Sequence, residues 1–142
     1  MIRIDKNGIW FYKGNEMLRT DIVNLFYDHL SIDESGRYVI ELGNDRCTID
    51  VEDTPYIVKA VYKKDANIEI VLNDSKRELL DPKSLHVGRD NIMYCSVRDG
   101  KFKARFSRAA YYQISGFIKY ESDKGAFYLS INENTCYING SC

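Results

Sequence analysis

Residues 19–49 and 108–138 of this chain repeat one pattern without a gap, at an offset of 89 positions. The offset pairs Arg19 with Arg108, Ile22 with Tyr111, Leu25 with Ile114 and Gly36 with Gly125. It goes on to pair Tyr38 with Phe127, Ile40 with Leu129, Leu42 with Ile131, Cys47 with Cys136 and Ile49 with Ile138. Each copy reads as hairpin, helix, strand, turn, strand. Upstream, Asn7-Gly8 has a counterpart in Asp99-Gly100 at an offset of 92. A repeat of this length implies two similar units with a crevice between them, and such crevices are common ligand sites. The expectation is a β-rich α+β fold of two small lobes, with an internally duplicated hairpin-helix-strand-strand unit. Residues 1–54 form the N-terminal repeat lobe, and 55–142 form a β-rich C-terminal lobe with the second repeat at about 92–142.

The local signals follow the repeat. Asn7-Gly8, Lys13-Gly14 and Asp99-Gly100 are hairpin turns, because Gly and Asn accept the left-handed backbone that tight turns need. A helix is expected from 20 to about 30, with Thr20 as N-cap and Ile22, Leu25, Phe26 and Leu30 on one face. Strands are expected at 38–42, 47–51, 56–62 and 67–72. Residues 73–91 are polar and read as loops with one or two short strands. Strands at 92–98 and 101–106 follow, then a helix from 108 to about 119 capped by Ser107, then strands at 126–131 and 135–138. The chain holds 11 Tyr and 6 Phe against one Trp, which suits half-buried pleated surfaces.

Charge and cysteines narrow the function classes. The net charge of −1 gives no global field towards nucleic acid or an anionic membrane, so such a partner would need a local patch. The opening Met1-Ile2-Arg3-Ile4-Asp5-Lys6 is charged where a signal peptide is apolar, and no apolar run reaches the ~20 residues of a membrane span. The chain is therefore read as cytoplasmic, with reduced thiols. Cys47, Cys95, Cys136 and Cys142 lie too far apart for a zinc pattern, so no metal and no cofactor are expected. Strand alternation makes Cys47, Cys95 and Cys136 small buried hydrophobes, and leaves Cys142 exposed and oxidisable.

The sharpest local feature is the run from Arg98 to Arg108. Period 2 places Lys101, Lys103 and Arg105 on one face of a strand and Phe102, Ala104 and Phe106 on the other. A cationic strand face then runs into a helix start, where arginines can take a phosphate or a carboxylate. The plainer reading is a solvated face whose charges discourage edge pairing. Tyr111 and Tyr112 open that helix, one directed to the core and one at the surface. Trp10, Phe11 and Tyr12 read as the core of the first hairpin. Val51-Glu52-Asp53-Thr54-Pro55 ends a strand in paired carboxylates, a pattern that serves acid–base work in some sites and a turn in most.

Several of these stretches together resemble an uncharacterised bacterial family, domain-of-unknown-function family 1285. The resemblance rests on Gly8-Ile9-Trp10-Phe11-Tyr12, on Leu25-Phe26 followed by Gly36-Arg37-Tyr38, and on Arg46 to Tyr56 around Val51-Glu52-Asp53. It continues at Val97-Arg98-Asp99-Gly100 and at Ala104-Arg105-Phe106-Ser107-Arg108 with Tyr111-Tyr112. It implies two lobes with a duplicated core, a β-rich part similar to pleckstrin-homology folds, a binding site between the lobes and a role in signalling. It implies no established activity.

The expectation for function is a non-enzymatic binding or regulatory module for a small anion, a phosphorylated metabolite or an acidic segment of a partner. Arg98, Arg105 and Arg108 would supply charge-assisted hydrogen bonds, Tyr112 would orient the ligand, and Asp53 would hold an arginine in place. No catalytic residue is assigned. The alternatives are a hydrolase or transferase using Glu52 or Asp53 as base, and an interaction module or homodimer pairing exposed strand edges.

Overall fold

Two short turns shape the start of the chain. The computed structural model describes residues 1–139, so the expectation for Cys142 lies outside the described residues. Strand β1 (Ile2–Ile4) returns as β2 (Trp10–Tyr12) around a loop that Asp5 organises. The Asp5 carboxylate accepts the amides of Asn7 and Ile9, both at 2.9 Å. Gly8, with φ 79°, takes the left-handed step that a side chain resists. Lys13 and Gly14 both have positive φ, which matches the right-handed twist of the hairpin from β2 to β3 (Asn15–Glu16).

Helix α1 (Thr20–Asp28) follows. Its N-cap position is Arg19, not Thr20, and no side chain caps it; the Arg19 guanidinium pairs with Asp21 at 2.7 Å instead. The helix is also shorter than expected. Leu30 fits the helical apolar spacing, but it equally opens the alternating strand β4 (Leu30–Ile32), and the strand prevails. Tyr27 is the fully buried residue of α1, while Leu25 is 44% exposed. The Tyr27 ring meets Trp10 edge-on at 4.9 Å, and its hydroxyl donates to the Pro55 carbonyl at 2.7 Å. Trp10 is core as expected, but Tyr12 is half exposed and lines an apolar groove with Ile2, Met17 and Ile22.

Strands β5 (Tyr38–Leu42) and β6 (Asp45–Thr48) complete a three-stranded meander with β4. Strand β7 (Asp50–Val51) then joins the first sheet parallel to β1, giving the order β3-β2-β1-β7. These elements form the compact unit Met1–Pro55.

The second compact unit is Tyr56–Cys142. Strands β8 (Tyr56–Lys64), β9 (Asn67–Leu72) and β10 (Arg77–Leu79) form one antiparallel meander. Strands β11 (His86–Val87), β12 (Met93–Val97) and β13 (Phe102–Phe106) form another. A parallel pair, β8 with β13, fuses them into a six-stranded sheet in which Tyr56 lies opposite Ala104. Helix α2 (Arg108–Ser115) starts where Ser107 accepts the Ala110 amide at 3.1 Å. Ser107 is thus the expected N-cap, although the helix ends sooner than expected. Ala110 and Ile114 are its buried residues, and Gln113 accepts the Val61 amide of β8 at 2.7 Å.

Strands β14 (Lys119–Glu121), β15 (Ala126–Ile131) and β16 (Asn134–Tyr137) close the unit as a three-stranded meander. Hydrogen bonds from the Asn132 amide to the Ala66 carbonyl, and from the Val87 amide to Asn139 Oδ1, tie this meander to the larger sheet; both are 2.8 Å.

The repeat is real at the level of backbone. Each unit has a helix followed by a three-stranded antiparallel meander. The second hairpins share one register at the offset of 89: Ile40 faces Cys47 as Leu129 faces Cys136. Gly36 and Gly125 both sit at positive φ, 84° and 61°. The first hairpins differ by one residue, because the 33–37 loop is one longer than the 122–125 loop. The chain is therefore a β-rich α+β fold, as expected.

The paired cysteines part company. Cys136 is buried in the core as expected, though disulfide-bonded, whereas Cys47 is exposed with a free thiol, so the core role is corrected for Cys47. Strand alternation fixes which face a residue takes, not what covers that face. β6 is an edge strand exposed along its length. Cys95 is buried within β12, and burial pushes its thiol far up.

Candidate functional site

The cationic strand face is present. Arg98, Asp99 and Gly100 all take positive φ in the turn between β12 and β13. From there the alternation holds: Phe102, Ala104 and Phe106 are buried, Lys101 and Lys103 are exposed, and Arg105 is half-buried. Arg105 lies in the sheet between Tyr94 of β12 and Ile57 of β8. Arg108 follows three residues later, within roughly 11 Å along the chain at most. It is exposed in the first turn of α2. Tyr112 is 66% exposed and stands four residues on from Arg108, which puts the two on one helix face. Tyr111 is exposed as well, so the expectation that one tyrosine of the pair enters the core is corrected. Ala110 and Ile114 take that place, and the two tyrosine rings meet each other at 6.0 Å. Lys101, Lys103 and Arg108 make no ion pair among the described residues.

Arg98 is set apart from this group. Its guanidinium stands 5.3 Å over the Phe102 ring and donates to the Tyr56 hydroxyl at 2.7 Å. Phe102 and Tyr56 belong to the buried face of the β8–β13 pair, whereas Arg105 projects to the other face. The backbone amide of Arg98 donates to both oxygens of Glu78 at 3.2 Å. Burial pushes the Glu78 carboxyl up from its ordinary value, and the Arg98 amide partly offsets this.

The acidic pair lies in the first unit. Glu52 is spent structurally: it accepts from Arg3 at 2.8 Å and from the Lys6 amide at 3.3 Å, joining the end of β7 to β1. Asp53 is exposed in the bend that follows. Burial, with a smaller contribution from the Asp53 charge, pushes the Tyr38 phenol up. Thr54 and Pro55 after it are buried. His29 closes α1, with its Nδ1 at 3.0 Å from the Leu25 carbonyl, and His86 stacks on Tyr94 at 5.5 Å. Among the described residues no cluster of three His, Cys, Asp or Glu is placed to hold a metal, and no helix is long and apolar enough to cross a membrane.

Sequence reasoning passed over the charged loop between β4 and β5. Asp33 accepts the amides of Ser35 and Arg37, and pairs with the Arg37 side chain at 3.0 Å. The signal was present as Asp33-Glu34-Ser35-Gly36-Arg37: an Asp two residues before a Ser and three before a Gly builds an Asx-type turn.

Fold and surface together define a β-rich α+β protein with a repeated helix–meander module and a cationic sheet face. Residues 1–54 match the family model for the N-terminal domain of the domain of unknown function DUF1285. The resemblance read from the sequence is borne out over this segment, which is similar to the DUF1285 N-terminal domain. The whole chain is similar in fold to a DUF1285 family protein from Silicibacter pomeroyi DSS-3, with a TM-score of 0.79 at 20% identity; the match covers 96% of this chain and 78% of that one. It is also similar to a DUF1285 family protein from Shewanella baltica OS155, with a TM-score of 0.69 at 18% identity, covering 81% of this chain and 90% of that one. No curated protein matches the chain.

Proposed function

We propose that the chain is a non-enzymatic binding module whose outward β13 face, continued into α2, takes a small anionic molecule or an acidic segment of a partner. One observation carries the reading. Lys101, Lys103 and Arg105 alternate from the turn into β13, and Arg108 extends the same charge into α2, while the chain as a whole is nearly neutral. Four cations within eight residues make a local positive field that the net charge of −1 hides. Strand and helix fix the backbone that carries them, so the ordering cost on binding falls on their side chains alone. Arg105 and Arg108 supply charge-assisted hydrogen bonds, and Tyr112 orients the ligand from the same helix face as Arg108. Arg98, engaged with Tyr56, stabilises the hairpin that presents the strand. Asp53 lies in the unit Met1–Pro55, outside the residues that carry this proposal. A role in signalling would follow from reversible occupancy of this face.

A thermal-shift screen against nucleotides, phosphorylated metabolites and acidic peptides tests it, since a ligand of the native state raises the melting temperature. At least one anionic class should raise it, and the rise should shrink with added salt. A panel without any response would overturn the proposal.

A further inference from the structure

The loop between β4 and β5 is more heavily charged than its fold requires. The Asp33 side chain is only 6% exposed. It accepts the amides of Ser35 and Arg37, each at 2.9 Å, and Arg37 Nε at 3.0 Å. The Arg37 backbone amide is the chief cause that holds the carboxyl below its usual range, so Asp33 stays ionised. Arg37 spends only its Nε on this bond. Its two Nη groups have no partner among the described residues, and its side chain is 65% exposed. Arg46 reaches Asp33 at 3.8 Å and Glu41 at 3.4 Å, both long contacts that leave its donors available.

The second copy of the module shows what the fold itself needs. At the offset of 89, Arg37, Glu41 and Arg46 correspond to Ala126, Ser130 and Thr135, and the one-residue difference of the first hairpin puts Glu121 in the place of Asp33. The same three-stranded meander forms there without the two arginines. Arg37 and Arg46 are therefore an addition to the meander and not a condition of it.

These residues border a cavity of about 390 Å³, lined by Ile32, Asp33, Glu34, Ser35, Arg37 and Arg46. That volume falls within the range of small-molecule sites. The lining holds two cations and two anions. Asp33 is consumed by the loop, which leaves Arg37, Arg46 and Glu34 as the charged groups of the lining. A plain anion would meet Glu34, and a plain cation would meet the arginines. We infer that this loop binds a small zwitterion of the amino-acid class. The ligand's carboxylate is held by Arg37 and Arg46, and its ammonium is held by Glu34 with the Ser35 hydroxyl.

The test follows the backbone amide resonances of Ser35, Gly36 and Arg37 while L-alanine, acetate or methylammonium is added. Alanine should shift them and bind more tightly than acetate, and methylammonium should leave them in place. Arg37→Gln, which keeps a donor for Asp33, should weaken alanine binding about tenfold or more. Glu34→Gln, at an exposed position that folding does not use, should reduce the affinity for alanine to that for acetate. Loop amides that ignore alanine would overturn the inference. So would acetate binding as tightly as alanine, or alanine affinity unchanged in both variants.

Discussion

The Arg98 guanidinium donates to the hydroxyl of the fully buried Tyr56 at 2.7 Å, joining the turn of one meander to the first residue of the other. The Tyr56 ring also packs on Phe102 at 5.6 Å. Tyr56→Phe keeps the ring and removes the hydroxyl. A hydrogen bond to a charged group contributes roughly 1.5–3 kcal/mol. Arg98 is only half-buried and can regain water, so a loss nearer about 1 kcal/mol is expected. Urea denaturation checks this, and equal midpoints for variant and parent would show that the bond contributes nothing.

Glu78 gives a pH dependence of definite sign. Burial raises its folded-state pKa, so the native chain holds that proton more tightly than the unfolded chain does. The stability linked to the protonated form is fully present below the unfolded value of ~4.3, and is lost as pH rises through the folded value. Glu78→Gln does not titrate. The variant should therefore gain stability relative to the parent between pH 4 and pH 7, measured as the difference in urea midpoints. A difference that stays constant with pH would contradict the assigned environment of Glu78.

Thiol labelling separates the cysteines. Cys47 is free and exposed on β6, while Cys95 is buried with its thiol pushed far up. Iodoacetamide should modify Cys47 in the native protein and leave Cys95 untouched until denaturant is added. Mass mapping of the labelled peptides reads the outcome. Native labelling of Cys95 would mean that β12 opens far more readily than its burial implies.

Hairpins were legible because their turns carry their own chemistry. Asp99-Gly100 and Lys13-Gly14 announce left-handed backbone, and the alternation from Lys101 to Phe106 marks inside and outside. The repeat was legible because spacing survives where identity does not: Gly36 and Gly125 keep the same conformation under different neighbours. Partners distant in sequence were not legible. Nothing local tells that β7 runs beside β1, or that β8 meets β13 in parallel, since periodicity gives faces and not neighbours. Tyr27 was missed as core for a related reason. Its burial depends on Trp10 and the Pro55 carbonyl, both far along the chain. At the candidate site the charges on β13 were readable, but the capture of Arg98 by Tyr56 required the parallel pairing.

Titration calorimetry of pyrophosphate into the parent and into the Arg105→Ala, Arg108→Ala double variant tests the proposed binding face most directly. The parent should bind, with an affinity that falls as salt is added, and the double variant, compared at equal folded concentration, should lose at least tenfold. Equal affinity in the two proteins would contradict the assignment of this face.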